Sequence, residues 1–308
     1  MKSKVRAVWL LLKDSATKFV EDKATRLGAA LAYYTALSLS PLLLAVVAIA
    51  GLAFGEQAAR GEIVAQFRDT IGDESAAFLE QMIQKSASQA NGIVAAVVAG
   101  AVLLYGASGV FADLQSALNT IWKVPGRAPQ GGILTIVKER LLSFSLVCGA
   151  AFLLLVSLVV TAVLSGINSR VSGWLPGMEV LAQVVNFGLN FALTATLFAM
   201  IFKWLPETKL AWLDVAVGAA LTALLFSIGR FLIGLYLGKA AVGSTYGAAG
   251  AFVVLLVWIY YSTLILLFGA ELTFVYAQRF GSGVRTPDGA LVEPRAATTP
   301  EGTPAAVS

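Results

Sequence analysis

Histidine is absent from this chain and charge is scarce. Charged residues make up 13% of its 308 positions, against about 25% in soluble domains. Hydrophobic residues make up 58%, more than a water-soluble fold of this length can hide. Without histidine there is no histidine general base, and zinc bound by carboxylates alone would be unusual. Neither paired buried carboxylates nor a nucleophile motif is expected from the sequence to stand in for it. The expectation is a protein that is not an enzyme and has no cofactor, no metal and no nucleic-acid partner. Cysteine occurs once, at Cys148 within an apolar run, so no intramolecular disulfide can form.

What the chain does have is long apolar runs, each able to supply the ~20 residues that cross a hydrocarbon core. The expected spans are residues 29–54, 93–121, 141–167, 180–202, 212–237 and a sixth within 245–271. The sixth is the most pronounced, because no charge occurs from Ala240 to Ala270 before Glu271 arrives. The fold class is therefore all-α, a polytopic integral membrane protein with six transmembrane helices. A basic amphipathic segment occupies 1–28 and the six-helix domain 29–280. Residues 56–92 form an extracytoplasmic loop whose apolar residues Ile63, Phe67, Ile71, Phe78, Leu79, Met82 and Ile83 have the spacing of short amphipathic helices. Residues 281–308, rich in Pro, Thr, Ala and Gly, read as a disordered tail.

The basic residues orient these spans. Lys2, Lys4, Arg6, Lys13, Lys18, Lys23 and Arg26 dominate the first segment, which reads as a helix along the cytoplasmic membrane face and not as a signal peptide. With the N-terminus inside, sixteen of the 22 Lys and Arg fall on cytoplasmic segments and five outside. By the positive-inside rule both termini are cytoplasmic. Trp9, Trp122, Trp174, Trp204 and Trp212 fall near the expected interfaces, as an aromatic belt would place them.

Ionisable residues inside spans are costly and are candidates for function. Three qualify: Asp113, Arg230 and Glu271. Asp113 and Glu271 come late in outside-to-inside spans, near the cytoplasmic face. Arg230 lies about 18 residues into an inside-to-outside span, ~27 Å along it, so a direct Arg230–Glu271 pair is not expected. Glu271 has a structural reading as a helix-end partner of Arg140 or Lys203. Asp113 has one as a partner of Ser116 or Asn119. Arg230 either snorkels to the outer interface or holds an anionic headgroup, since guanidinium binds phosphate bidentately. Gln183, Asn186, Asn190 and Thr194 share one face of the fourth span, lining a cavity or bonding neighbouring helices. Pro41 near the centre of the first span and Gly247 at the head of the sixth, beside Tyr246, are candidate hinges. Asn119 and Arg140 complete the set of substrate-path or coupling candidates.

The stretches AALAYYTALSLSPLLL at 29–44, YGASGVFADLQSALNTIWKV at 105–124, KWLPETKLAWLDVAVGAA at 203–220, STYGAAG at 244–250, VLLVWIYYS at 254–262 and GAEL at 269–272 stand out in this order. Together they resemble the YihY/BrkB family of bacterial inner-membrane proteins. The resemblance implies six membrane helices, cytoplasmic ends and a multi-pass inner-membrane location. It points to Tyr34, Pro41, Asn119, Arg140, Pro206, Gly218, Tyr246, Gly247 and Glu271 without giving them roles. Members are often labelled ribonuclease BN, but a chain without histidine cannot build the His-rich metal cluster that chemistry needs. Family associations with virulence and envelope homeostasis suggest handling or transport of lipids or other amphiphiles, with membrane lipids as partners. The alternatives are an ion-coupled small-solute exporter, with Asp113 and Glu271 as coupling carboxylates, and a scaffold docking envelope proteins through 56–92.

Overall fold

The computed structural model describes residues 2–88, 109–124, 145, 149, 152, 178–239, 248–285 and 289–291. Among these the architecture is helical, with two isolated antiparallel bridges and no longer strand. In chain order the helices are α1 (Lys2–Glu21), α2 (Ala24–Phe54), α3 (Glu56–Ile71), α4 (Asp73–Ser88), α5 (described from 109 to 121), α6 (Met178–Trp204), α7 (Trp212–Lys239) and α8 (Ala248–Arg279). Among the described residues three stretches are long and apolar enough to cross a membrane: Phe187–Trp204, Trp212–Gly234 and Ala249–Arg279.

The uncharged sixth run becomes α8, and the bundle is built round it. α8 packs against α1, α2, α4 and α7, and α7 lies between α8 and α6. The α7–α8 seam is set by reciprocal small residues. A Cβ at Gly218 would overlap Thr273, a Cβ at Gly269 would overlap Thr222, and one at Gly229 would overlap Ile265. The partner number falls as the α7 number rises, so the helices run antiparallel. Each threonine also donates back within its own helix, Thr222 Oγ1 to the Gly218 carbonyl and Thr273 Oγ1 to that of Gly269, both at 2.7 Å. Where the surroundings are apolar on every side, such close backbone approach replaces the hydrophobic drive that membrane helices lack between one another.

On the other flank, α2 presents Ala32, Ala36, Leu39, Leu43 and Val47 at spacings of three and four to Val254, Leu255 and Ile259 of α8. The helix runs unbroken through Pro41. The expected amphipathic loop forms α3 and α4, separated at Gly72, whose φ of 84° suits only glycine without strain. Of its apolar residues, Ile63, Phe78, Leu79, Met82 and Ile83 face the bundle. Leu79 and Ile83 are fully buried, and Phe78 meets Phe252 of α8 edge-on with ring centroids 6.4 Å apart, a favoured aromatic geometry.

The opposite end, where α1, α5, α6 and the last turns of α8 converge, holds the larger core. Phe198, Phe202 and Trp122 stack or meet edge-on there. Trp122 departs from the expected aromatic belt. It is fully buried, and its Nε1–H donates to the Ala270 carbonyl at 3.0 Å. Trp9, Trp204 and Trp212 are exposed, as a belt requires. α1 packs along α8, with Leu11 in the core and Phe19 edge-on to Phe268, and leaves Val8, Trp9, Leu12 and Val20 exposed. Just past α8, Lys209 and Arg285 pair in an antiparallel bridge, and Arg285 pairs with Leu291. The first residues of the stretch expected as disordered are thus tied to the α6–α7 connection; 292–308 lie outside the described residues.

Candidate functional site

Two polar features emerge, at different heights of the bundle. The first surrounds Glu271. α1 ends at Glu21, and Lys23 enters the left-handed region (φ 52°, ψ 39°) before α2 begins. That sharp turn leaves Asp22 facing the last third of α8. The Asp22 side chain is 10% exposed, and its Oδ1 pairs with Lys123 Nζ, which arrives from the turn after α5. Glu271 is fully buried. Asp22, Lys123 and Lys18 are the charged groups close enough to act on its carboxyl. Lys18 Nζ itself rests over the Phe274 ring, 4.9 Å from the centroid, a cation–π contact. Neither oxygen of Glu271, nor Asp22 Oδ2, meets an N–H or O–H donor among the described residues.

Neither partner expected for Glu271 is beside it among the described residues. Lys203 instead donates to the Leu210 carbonyl at 2.5 Å and lies over the Trp212 ring, and Arg140 lies outside the described residues. Spacing along the chain could not reveal Asp22, because the pairing depends on how the α1–α2 turn folds back. Asp113 is half-buried on α5, nine residues before Trp122 and so ~13 Å along the helix from the Glu271 level. The two candidate coupling carboxylates are not adjacent. Asn119 holds a connection in place. Its Oδ1 accepts the backbone N–H of Glu207 at 3.0 Å, fastening the buried Pro206 turn between α6 and α7.

The second feature is Arg230. It is exposed on α7, with Leu224, Ile228, Phe231 and Leu232 exposed around it. It does not reach Glu271: the α7–α8 register sets it level with Tyr261 and Ile265, at least six residues and ~9 Å from the glutamate's height. Across the α6–α7 seam, Phe198 meets Phe226 edge-on at 5.6 Å. Running outward from that contact, Arg230 is at about the height of Thr194, with Asn190 one turn beyond. Asn190 and Thr194 are half-buried, and Thr194 Oγ1 donates to the Asn190 carbonyl at 2.8 Å. Gln183 and Asn186 lie on the same helix. Tyr246 and Gly247 lie outside the described residues. Among the described residues no group of three acidic, Cys or His side chains could hold a metal ion.

A helical bundle with apolar, outward-facing long helices and buried polar residues defines an integral membrane protein. Residues 15–290 match the family described as virulence factor BrkB, and the chain belongs to that family. It is similar to a UPF0761 membrane protein of Rhodospirillum centenum, with 29% identity over 85% of this chain and 56% of that one. A UPF0761 membrane protein of Cronobacter sakazakii is 27% identical over 82% of this chain and 83% of its own length. One from Ralstonia nicotianae is 28% identical over 82% and 55%. The chain thus spans little more than half the length of two of these three relatives. No solved structure matches it.

Proposed function

We propose that this protein handles or transports lipids or other amphiphiles, binding an anionic headgroup at Arg230, as a six-span protein of the bacterial inner membrane with both termini cytoplasmic. The reading is supported above all by an exposed guanidinium on a candidate membrane span, flanked by exposed Ile228 and Phe231. An intramembrane arginine is expensive unless it finds a partner, and a lipid phosphate offers a bidentate one to a side chain exposed on that span. The polar residues Asn190 and Thr194 at a similar height would extend the contact towards a headgroup.

Lipid mass spectrometry of the gently purified protein, wild type beside Arg230→Ala, tests this. The expected result is enrichment of one anionic phospholipid or glycolipid class in the wild type, lost in the variant. Retained lipid that mirrors the bulk membrane in both proteins would refute the headgroup site. The choice would then pass to ion-coupled solute export or to a scaffold docking through 56–92.

A further inference from the structure

We infer that Asp22 and Glu271 form a proton-binding site that closes the α1–α2 turn onto α8. Hydrogen-bond capacity leads to it. An ionised carboxylate only accepts, and a protonated one donates once. Glu271 is fully buried with no donor among the described residues at either oxygen, and Asp22 Oδ2, on a side chain nine-tenths buried, has none either. The nearby cations do not supply the missing donor. Lys123 Nζ meets Asp22 Oδ1 but none of the three orphaned oxygens, and Lys18 Nζ rests over Phe274 without reaching them. A single proton shared between one Glu271 oxygen and Asp22 Oδ2 gives each carboxyl a hydrogen-bond partner, and the Lys123 charge balances the carboxylate that remains.

The charged groups facing Glu271 come from three elements: Lys18 from α1, Asp22 from the α1–α2 turn and Lys123 from the turn after α5. From α7 the seam offers Gly218 and Thr222, neither of which titrates. Release of the proton would leave two carboxylates facing each other in a site of low dielectric, where repulsion is weakly screened. The segment that joins the pair to the rest of the chain is the short turn at Lys23, between α1 and α2, both of which pack on α8. The site therefore takes a proton as its ligand and converts its loss into release of the α1–α2 turn from α8. This stands apart from the Arg230 reading, because it concerns a different end of the bundle and a different ligand.

The test is infrared difference spectroscopy across a pH titration, on the full chain in lipid nanodiscs. The wild type should show a buried carboxylic-acid C=O band that disappears on alkalinisation. Glu271→Gln should abolish it, and so should Asp22→Asn, whose amide donates to Glu271 in place of the proton. The second readout is Tm against pH. It should vary in the wild type over the range in which the band titrates, and flatten in both variants. A band that survives both substitutions, or the absence of any titrating band, overturns the proposal. A Tm that responds to Na+ at fixed pH with no such band would likewise overturn it, in favour of a metal cation.

Discussion

The Gly218/Thr273 and Gly269/Thr222 contacts make the sharpest structural prediction. A methyl group added at Gly218 would stand 2.7 Å from both Cβ and Cγ2 of Thr273 and closer still to its Oγ1. Because the Cβ itself is in the way, no rotation of the threonine relieves the overlap, and α7 and α8 must move apart. Overpacking of this kind costs about 1–3 kcal/mol. Parting the helices also disturbs the reciprocal contact at Gly269, one turn along. Gly218→Ala and Gly269→Ala should each lower stability by about 1–3 kcal/mol, read by tryptophan fluorescence during unfolding in mixed micelles. Gly109→Ala and Gly188→Ala provide the control. A Cβ at either meets nothing within 4 Å, so the substitution should be neutral or gain about 0.5–1 kcal/mol from helix propensity. Combining Gly218→Ala with Thr273→Gly should recover part of the loss. Wild-type stability in Gly218→Ala would refute the seam.

Trp122→Phe removes the N–H that reaches the Ala270 carbonyl from the end of α5 and leaves unfilled volume beside Phe202. It should destabilise by about 1–3 kcal/mol, from the net hydrogen bond and the cavity together, measured in the same unfolding assay. At the other site, Arg230→Lys keeps the charge but loses the planar fork. It should retain lipid at a level between wild type and Arg230→Ala in the mass-spectrometric comparison.

The membrane class, the central place of α8 and the two loop helices were legible in the sequence because composition and period determine them directly. Glu271 stood out for the same reason: one charge ending a long uncharged run. Its environment was not legible. The partner Asp22 lies 249 positions away, and the left-handed Lys23 that aims it leaves no compositional mark. Trp122 read as an interfacial residue because a tryptophan at a span end commonly is one, whereas here tertiary packing draws it inside. Several residues singled out by resemblance hold the fold together. Asn119 fastens the Pro206 turn, and Gly218 admits Thr273. A polar or small residue identified only by its type cannot be separated from a functional one until its contacts are known.

Both sites depend on which side of the membrane each end of α7 occupies, since this sets Arg230 towards the outside and the Asp22–Glu271 pair towards the cytoplasm. In a Cys148→Ser background, Lys209→Cys and Lys239→Cys would be labelled with an impermeant maleimide in intact spheroplasts. The expected result is labelling at position 239 without permeabilisation and at 209 only after it. Labelling of 209 in intact spheroplasts, with 239 protected, would contradict the orientation and with it the side of the membrane given to both sites.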